Sequence, residues 1–141
     1  MQIRNKTVWI TGASSGIGEQ LAYSCIKRGA QVIISARDIA KLTKVKDRCI
    51  KMGGECFVYP LDLSVKAQIE NTAKEVLEQF NTIDLLINNG GVSQRTTALE
   101  TDPDVERTIM ETNYFGAIAL THKVLPVMIK NGGGNIAITS S

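Results

Sequence analysis

The 141 residues predict an α/β protein built on one doubly wound parallel sheet of about five strands, a Rossmann-type arrangement with helices on both faces. Three observations carry that expectation. Short apolar runs rich in β-branched residues alternate with segments of helical apolar spacing along the whole chain. Glycine clusters, or the Asp-Pro pair, mark the junctions between them. No repeat, low-complexity tract or Pro/Ser-rich linker divides the chain, so residues 1-141 are read as one domain. Right-handed crossovers in such a sheet place ligands at the C-terminal ends of the strands.

Taken in order, Lys6–Thr11 (KTVWIT) reads as a buried strand, and a helix follows from about Gly16 to Arg28. Ile17, Leu21, Cys25 and Ile26 share one face of that helix, and Gly29 ends it. Gln31–Ala36 is the second strand. Asp38 caps a second helix with an apolar stripe of Leu42, Val45, Cys49 and Met52, and Gly53-Gly54 stops it. Glu55–Tyr59 is the third strand. Ser64 is expected to cap a third helix that turns Ile69, Ala73, Val76, Leu77 and Phe80 inward. Asp84–Asn88 is a fourth strand opening into Asn88–Gly91. Asp102-Pro103 starts a long helix to about Lys130, with a bend expected at Pro126. Gly132–Gly134 breaks that helix, and Asn135–Thr139 is the fifth strand.

Composition narrows the function classes. Lys+Arg 16 against Asp+Glu 14 leaves a net charge of +2, too near balance to imply nucleic acid or an acidic membrane as partner. Three scattered cysteines and a single histidine disfavour a metal site and a disulfide framework, and they fit a reducing, cytoplasmic setting. No apolar run reaches membrane-spanning length. His122 reads as a helix surface or packing residue, and the cysteines as small core hydrophobes.

The chemistry concentrates at the turn from first strand to first helix. Gly12, Gly16 and Gly18 have the spacing G-x-x-x-G-x-G. Gly12 permits a tight turn, Gly16 admits a pyrophosphate to the backbone, and Gly18 allows close packing of the helix. The helix N-terminus offers free N–H groups and a positive dipole end to phosphates, and Ser14 and Ser15 add hydroxyls. A strand before and a helix after meet the context that a dinucleotide site requires. No Lys-Ser/Thr pair closes the motif, so it is not a P-loop. At the end of the second strand, Ala36 occupies the place of the carboxylate that favours NAD, and Arg37 follows. A guanidinium there pairs with a 2′-phosphate, so the expected cofactor is NADP rather than NAD.

TGASSGIG (11–18) resembles the cofactor motif of the short-chain dehydrogenases/reductases, and further blocks occur in the family's order. These are Asp62 in LDLS, NNGG (88–91), Asn113 within TNYFG, and Ser140-Ser141 after a strand. The stretch NNGGVSQR (88–95) is most similar to the branch containing dehydrogenase/reductase member 7, with the 11β-hydroxysteroid dehydrogenases more distant. The resemblance implies that Asp62 hydrogen-bonds the adenine and that Leu63 lies beside the base. It implies that Asn88 and Asn89 steady the sheet beside the cofactor, with Gly90 where alanine is usual. Two residues would be catalytic: Asn113, holding a water that leads to a lysine, and Ser141, orienting the substrate oxygen. The cofactor set is then Gly12, Ser14, Ser15, Gly16, Ile17, Gly18, Arg37, Asp62, Leu63, Asn89 and Gly90, with no metal.

The implied activity is hydride transfer between NADP(H) and a small carbonyl or alcohol substrate, by an enzyme that is a homo-oligomer in full-length form. The family's proton donor is a tyrosine with a lysine four residues later, beyond the position that matches Ser141. Tyr23 has Lys27 at that spacing, but on the back half of the first helix, away from the strand ends. The chain is therefore read as the N-terminal portion of a single-domain enzyme, with C-terminal strands missing and inactive alone. The alternative is a dinucleotide-binding module or pseudoenzyme without turnover.

Overall fold

The computed structural model describes residues 1–140. Strands β1 (Thr7–Thr11), β2 (Gln31–Ser35), β3 (Glu55–Val58), β4 (Leu85–Asn88) and β5 (Asn135–Ile138) form one sheet. Its order is β3-β2-β1-β4-β5, and every neighbouring pair is parallel. Helices α1 (Gly16–Lys27), α2 (Ile39–Lys51) and α3 (Lys66–Phe80) connect the first four strands. Between β4 and β5 lie α4 (Pro103–Met110), a π-helical turn (Glu111–Gly116) and α5 (Ala117–Lys130).

The strand periodicity of two explains the layers. Val8 and Ile10 of β1, with Val32 and Ile34 of β2, face α1 and α2. Trp9 and Ile33 face the other way, onto α3 and α5, and join Leu86, Leu120 and Val124. The three apolar residues of β1 thus divide between two cores, which makes the sheet doubly wound as the sequence predicts. All three cysteines are free and buried in the core between the sheet and the α1/α2 layer. Its contact with Cys49 and its burial push the Cys56 thiol up, so it stays protonated. The four residues of β5 are exposed.

Several local expectations change. Ile17 is 64% exposed and leaves the predicted stripe, while Leu21, Cys25 and Ile26 keep it, and α1 also buries Gly18, Ala22 and Tyr23. The N-cap of α3 is Val65, whose side chain cannot accept a hydrogen bond; Ser64 lies one residue outside and bonds Asp62. Asp62 gathers the turn itself: its Oδ1 accepts from both Ser64 N (2.9 Å) and Ser64 Oγ (2.6 Å). That carboxylate draws the Ser64 hydroxyl into the turn before the helix, where it donates rather than capping α3. The long helix is interrupted at the π turn, and α5 continues through Pro126 without a break.

Candidate functional site

The chain leaves β1 to build β2 and β3 on one side, then crosses to build β4 and β5 on the other. A crevice opens where the strand order reverses, at the C-terminal ends of β1 and β4. Its floor is a hydrogen-bonded junction of two turns. Thr11 Oγ1 accepts from Asn89 N (3.1 Å) and Gly90 N (2.9 Å), and Asn89 Nδ2 donates to Gly12 O (3.1 Å). Thr139 Oγ1 donates to Asn89 Oδ1 at 3.0 Å, so the end of β5 is held to the same residue. A Cβ on Gly12 would lie 2.7 Å from Gly90 Cα, and its φ is +64°. Only glycine fits there.

The crevice holds a cavity of about 800 Å³. Of the residues predicted from sequence, Gly12, Ser14, Ser15, Ile17, Arg37, Asp62, Leu63, Asn89 and Gly90 line it. Gly16 and Gly18 do not line it, and they act through the backbone. Gly16 has φ +56°, and a Cβ there would meet nothing within 4 Å, which leaves the approach to the α1 N-terminus open. A Cβ on Gly18 would meet Gly12 O at 2.2 Å and Asn89 Nδ2 at 2.6 Å. Gly18 therefore packs α1 against the turn rather than against the strands.

Ser15 is the N-cap of α1 and makes no side-chain capping bond, which leaves its hydroxyl for a ligand beside the dipole end. Asp38 caps α2 by accepting from Lys41 N at 3.0 Å, as expected. The Asp62 carboxyl lies below the usual range, chiefly because Ser64 donates to it through its hydroxyl; the Ser64 N–H and the Arg37 charge add to this, against some desolvation. Ser35, Lys41, Leu61, Val92 and Thr112 also line the cavity, and sequence reasoning does not pick them out. Ser35 and Lys41 carry no motif, and Leu61, Val92 and Thr112 sit inside the LDLS, NNGGVSQR and TNYFG blocks beside the residues singled out there.

Asn113 sits inside the π turn and does not line the cavity directly. Its side chain grips the backbone of Val92, with Oδ1 accepting from Val92 N and Nδ2 donating to Val92 O, both at 2.8 Å. Val92 forms part of the wall. The predicted role of Ser141 lies outside the described residues. His122 is exposed, and Tyr23 is buried between α1 and α2 with its hydroxyl on Glu19, far from any role at the strand ends.

The short chain dehydrogenase family model matches residues 6–141. The chain belongs to the short-chain dehydrogenase family. It is 44% identical to human "Dehydrogenase/reductase SDR family member 7" over 99% of its length, and 42% identical to a member 7-like protein of Drosophila melanogaster. The branch read from the NNGGVSQR block is thus the one its relatives belong to. It covers 42% and 44% of those two proteins, so it spans less than half the length of the curated relatives it matches. Among solved structures, a metagenomic short-chain oxidoreductase in complex with NADP superposes with a TM-score of 0.95 at 30% identity, over all of this chain and 64% of that one. A 7α-hydroxysteroid dehydrogenase complexed with NADH superposes with 0.93 at 28%, over 99% of this chain and 55% of that one. Both kinds of nicotinamide cofactor thus occur on this fold. Among the described residues no helix is long and apolar enough to cross a membrane.

Proposed function

We propose that the chain forms the cofactor-binding half of an oxidoreductase that moves a hydride between NADP(H) and a carbonyl or alcohol carbon. The observation that carries the NADP reading is Arg37 in the cavity wall, one residue past Ala36 and in the same lining as Ser14 and Ser15. The residues present fit the group. The open approach at Gly16 leaves room at the α1 N-terminus, and the cavity is of the size that binds drug-sized ligands. Ser14, Ser15 and the α1 N–H groups would hold the pyrophosphate, Arg37 the 2′-phosphate, and Asp62 with Leu63 the adenine. When bound, the nicotinamide supplies or accepts the hydride.

Around it the chain's own groups orient and enclose. Asn89 and Thr11 fix the floor, and Asn113 holds Val92 in the wall. In this reading Ser141 orients the substrate oxygen. The second reading, a binding module without turnover, is favoured for these residues alone by one observation: among the described residues no tyrosine lines the cavity. In the first reading the proton for the substrate oxygen would come from sequence outside this span.

Titration of NADPH and NADH against wild type and Arg37→Ala tests the cofactor assignment. The expected result is NADPH binding at least about tenfold tighter than NADH in wild type, with the ratio collapsing in Arg37→Ala, as for loss of a charge-assisted hydrogen bond. Equal affinities in wild type would refute NADP preference. Turnover is read separately on the full-length protein, since these 141 residues are expected to be inactive alone, as NADPH oxidation over a panel of ketones and aldehydes; turnover there supports the first reading, and binding without turnover the second.

A further inference from the structure

Two ties join the end of β4 to the long helical segment. Asn88 Nδ2 donates to Thr121 Oγ1 at 3.0 Å, and Asn113 holds the Val92 backbone by two bonds of 2.8 Å. Thr121 Oγ1 in turn donates to Ala117 O at 2.8 Å, in the first turn of α5 directly after the π turn. Asn88 is only 6% exposed, and its Oδ1 is buried with no hydrogen-bond partner among the described residues. A buried amide with one of its groups unsatisfied is costly, so the bond it does make to Thr121 must matter to the arrangement.

Helix geometry says what that bond arranges. Thr121 follows Asn113 by eight residues, which on a regular α-helix turns through about 800° and leaves the two side chains about 80° apart. Both nevertheless face the same short stretch from Asn88 to Val92. The π turn reconciles them, because each of its residues advances less than the roughly 100° of an α-helix. The shortfall gathered from Asn113 to Gly116 swings the two side chains toward one face. Axial distance agrees: eight residues rise about 12 Å at most, within the ~14 Å that four extended residues can span. Gly116 lets the turn itself lie against Leu63, since a Cβ there would be 2.2 Å from Leu63 O.

We propose that Thr121 is a positioning residue that sets the register of the π turn. Tied to Asn88 and to the Ala117 carbonyl, it keeps the turn open so that Asn113 clamps Val92 into the cavity wall. Its consequence for the cofactor rests on the reading of the cavity given above, so the test reads the clamp itself.

Amide hydrogen exchange by NMR on the whole 141-residue chain measures it at Val92, whose N–H is the clamp's donor. Asn113→Ala defines the rate without a clamp. Thr121→Val, which keeps the shape and loses the hydroxyl, is expected to speed Val92 exchange at least about tenfold, toward the Asn113→Ala rate. Thr121→Ser is expected to stay near wild type, and the Val32 and Ile33 amides of β2 to be unchanged throughout. Wild-type protection of Val92 in Thr121→Val overturns the proposal, as does a speed-up shared equally by β2, which would mark simple destabilisation. If Asn113→Ala leaves Val92 as slow as in wild type, there is no clamp and the proposal falls. Should Thr121→Val fail to fold, Asn88→Ala cuts the same tie from the strand side and must give the same Val92 signature. Absence of NADPH binding in the titration above would remove the cofactor reading and leave the Val92 result standing.

Discussion

Gly16 and Gly18 stand two residues apart in one motif, and the turn after β1 loads them differently. Gly18 has no room for a methyl group, with Gly12 O at 2.2 Å from the Cβ position. Gly18→Ala is therefore expected to lose about 3 kcal/mol or more of stability by urea unfolding, because backbone rather than a mobile side chain must give way. Gly16 has space but a left-handed φ, so Gly16→Ala is expected to cost only about 1–2 kcal/mol. Its methyl group would instead obstruct the approach to the α1 N-terminus, and NADPH titration is expected to show the larger loss. Asp62 gives a second expectation. Its folded pKa is lowered from 3.8, so the ionised form is stabilised by folding. That contribution is present above about pH 4 and fades as pH falls through the lower folded value. Asp62→Asn keeps an acceptor for Ser64 and removes the charge. Wild type is expected to exceed it in stability at about pH 7, with the gap narrowing as pH falls below the ordinary carboxylate value in urea titrations. Most of the site was legible at this scale because phosphate and adenine chemistry demands particular residue types at fixed spacing. Ser35 and Lys41 were not legible, since only the folded course of strand and helix brings them to the cavity.

The strands and helices were legible as elements because short β-branched apolar runs and helical apolar spacing, with glycine stops, agree with local propensity. The departures occur where a side chain finds a better bond than periodicity foresees. Ser64 gives up its cap to Asp62, and the segment after Met110 widens into a π turn where Asn113 reaches Val92. No periodic pattern announces a single widened turn, because it changes the phase of the helix and leaves its composition alone. Asp38 is the opposite case, a cap that the sequence marked and the structure contains. It also lines the cavity beside Arg37, so its carboxylate has two candidate roles. Asp38→Ala is expected to cost about 1 kcal/mol in urea unfolding through the lost α2 cap. On the proposed NADP reading, NADPH affinity is expected to hold or rise, since a negative charge leaves the neighbourhood of Arg37. A marked loss of NADPH affinity would assign Asp38 to the cofactor instead.

Across the whole molecule, β1 ties the two cores together. Val8 and Ile10 belong to one core and Trp9 to the other, although they are consecutive along a five-residue strand. Neither helical layer can leave without exposing one side of that strand, so the two cores are expected to unfold as one. Trp9, the chain's single tryptophan, is fully buried and reports on the α3/α5 side. Far-UV circular dichroism reports on both layers. The two signals are expected to give coincident urea transitions; separated midpoints would show that the layers come apart independently. Ser35→Ala probes the same centre chemically. Ser35 Oγ accepts from Trp9 Nε1 at 2.9 Å across the β1–β2 pair, and both groups are buried. Removing the hydroxyl leaves the indole N–H dry and unpaired, which is expected to lower stability by about 1–3 kcal/mol. Because the bond lies where the layers meet, fluorescence and circular dichroism midpoints should fall together. A shift confined to fluorescence would mean that the Trp9–Ser35 bond organises its own pocket and not the joint between the layers.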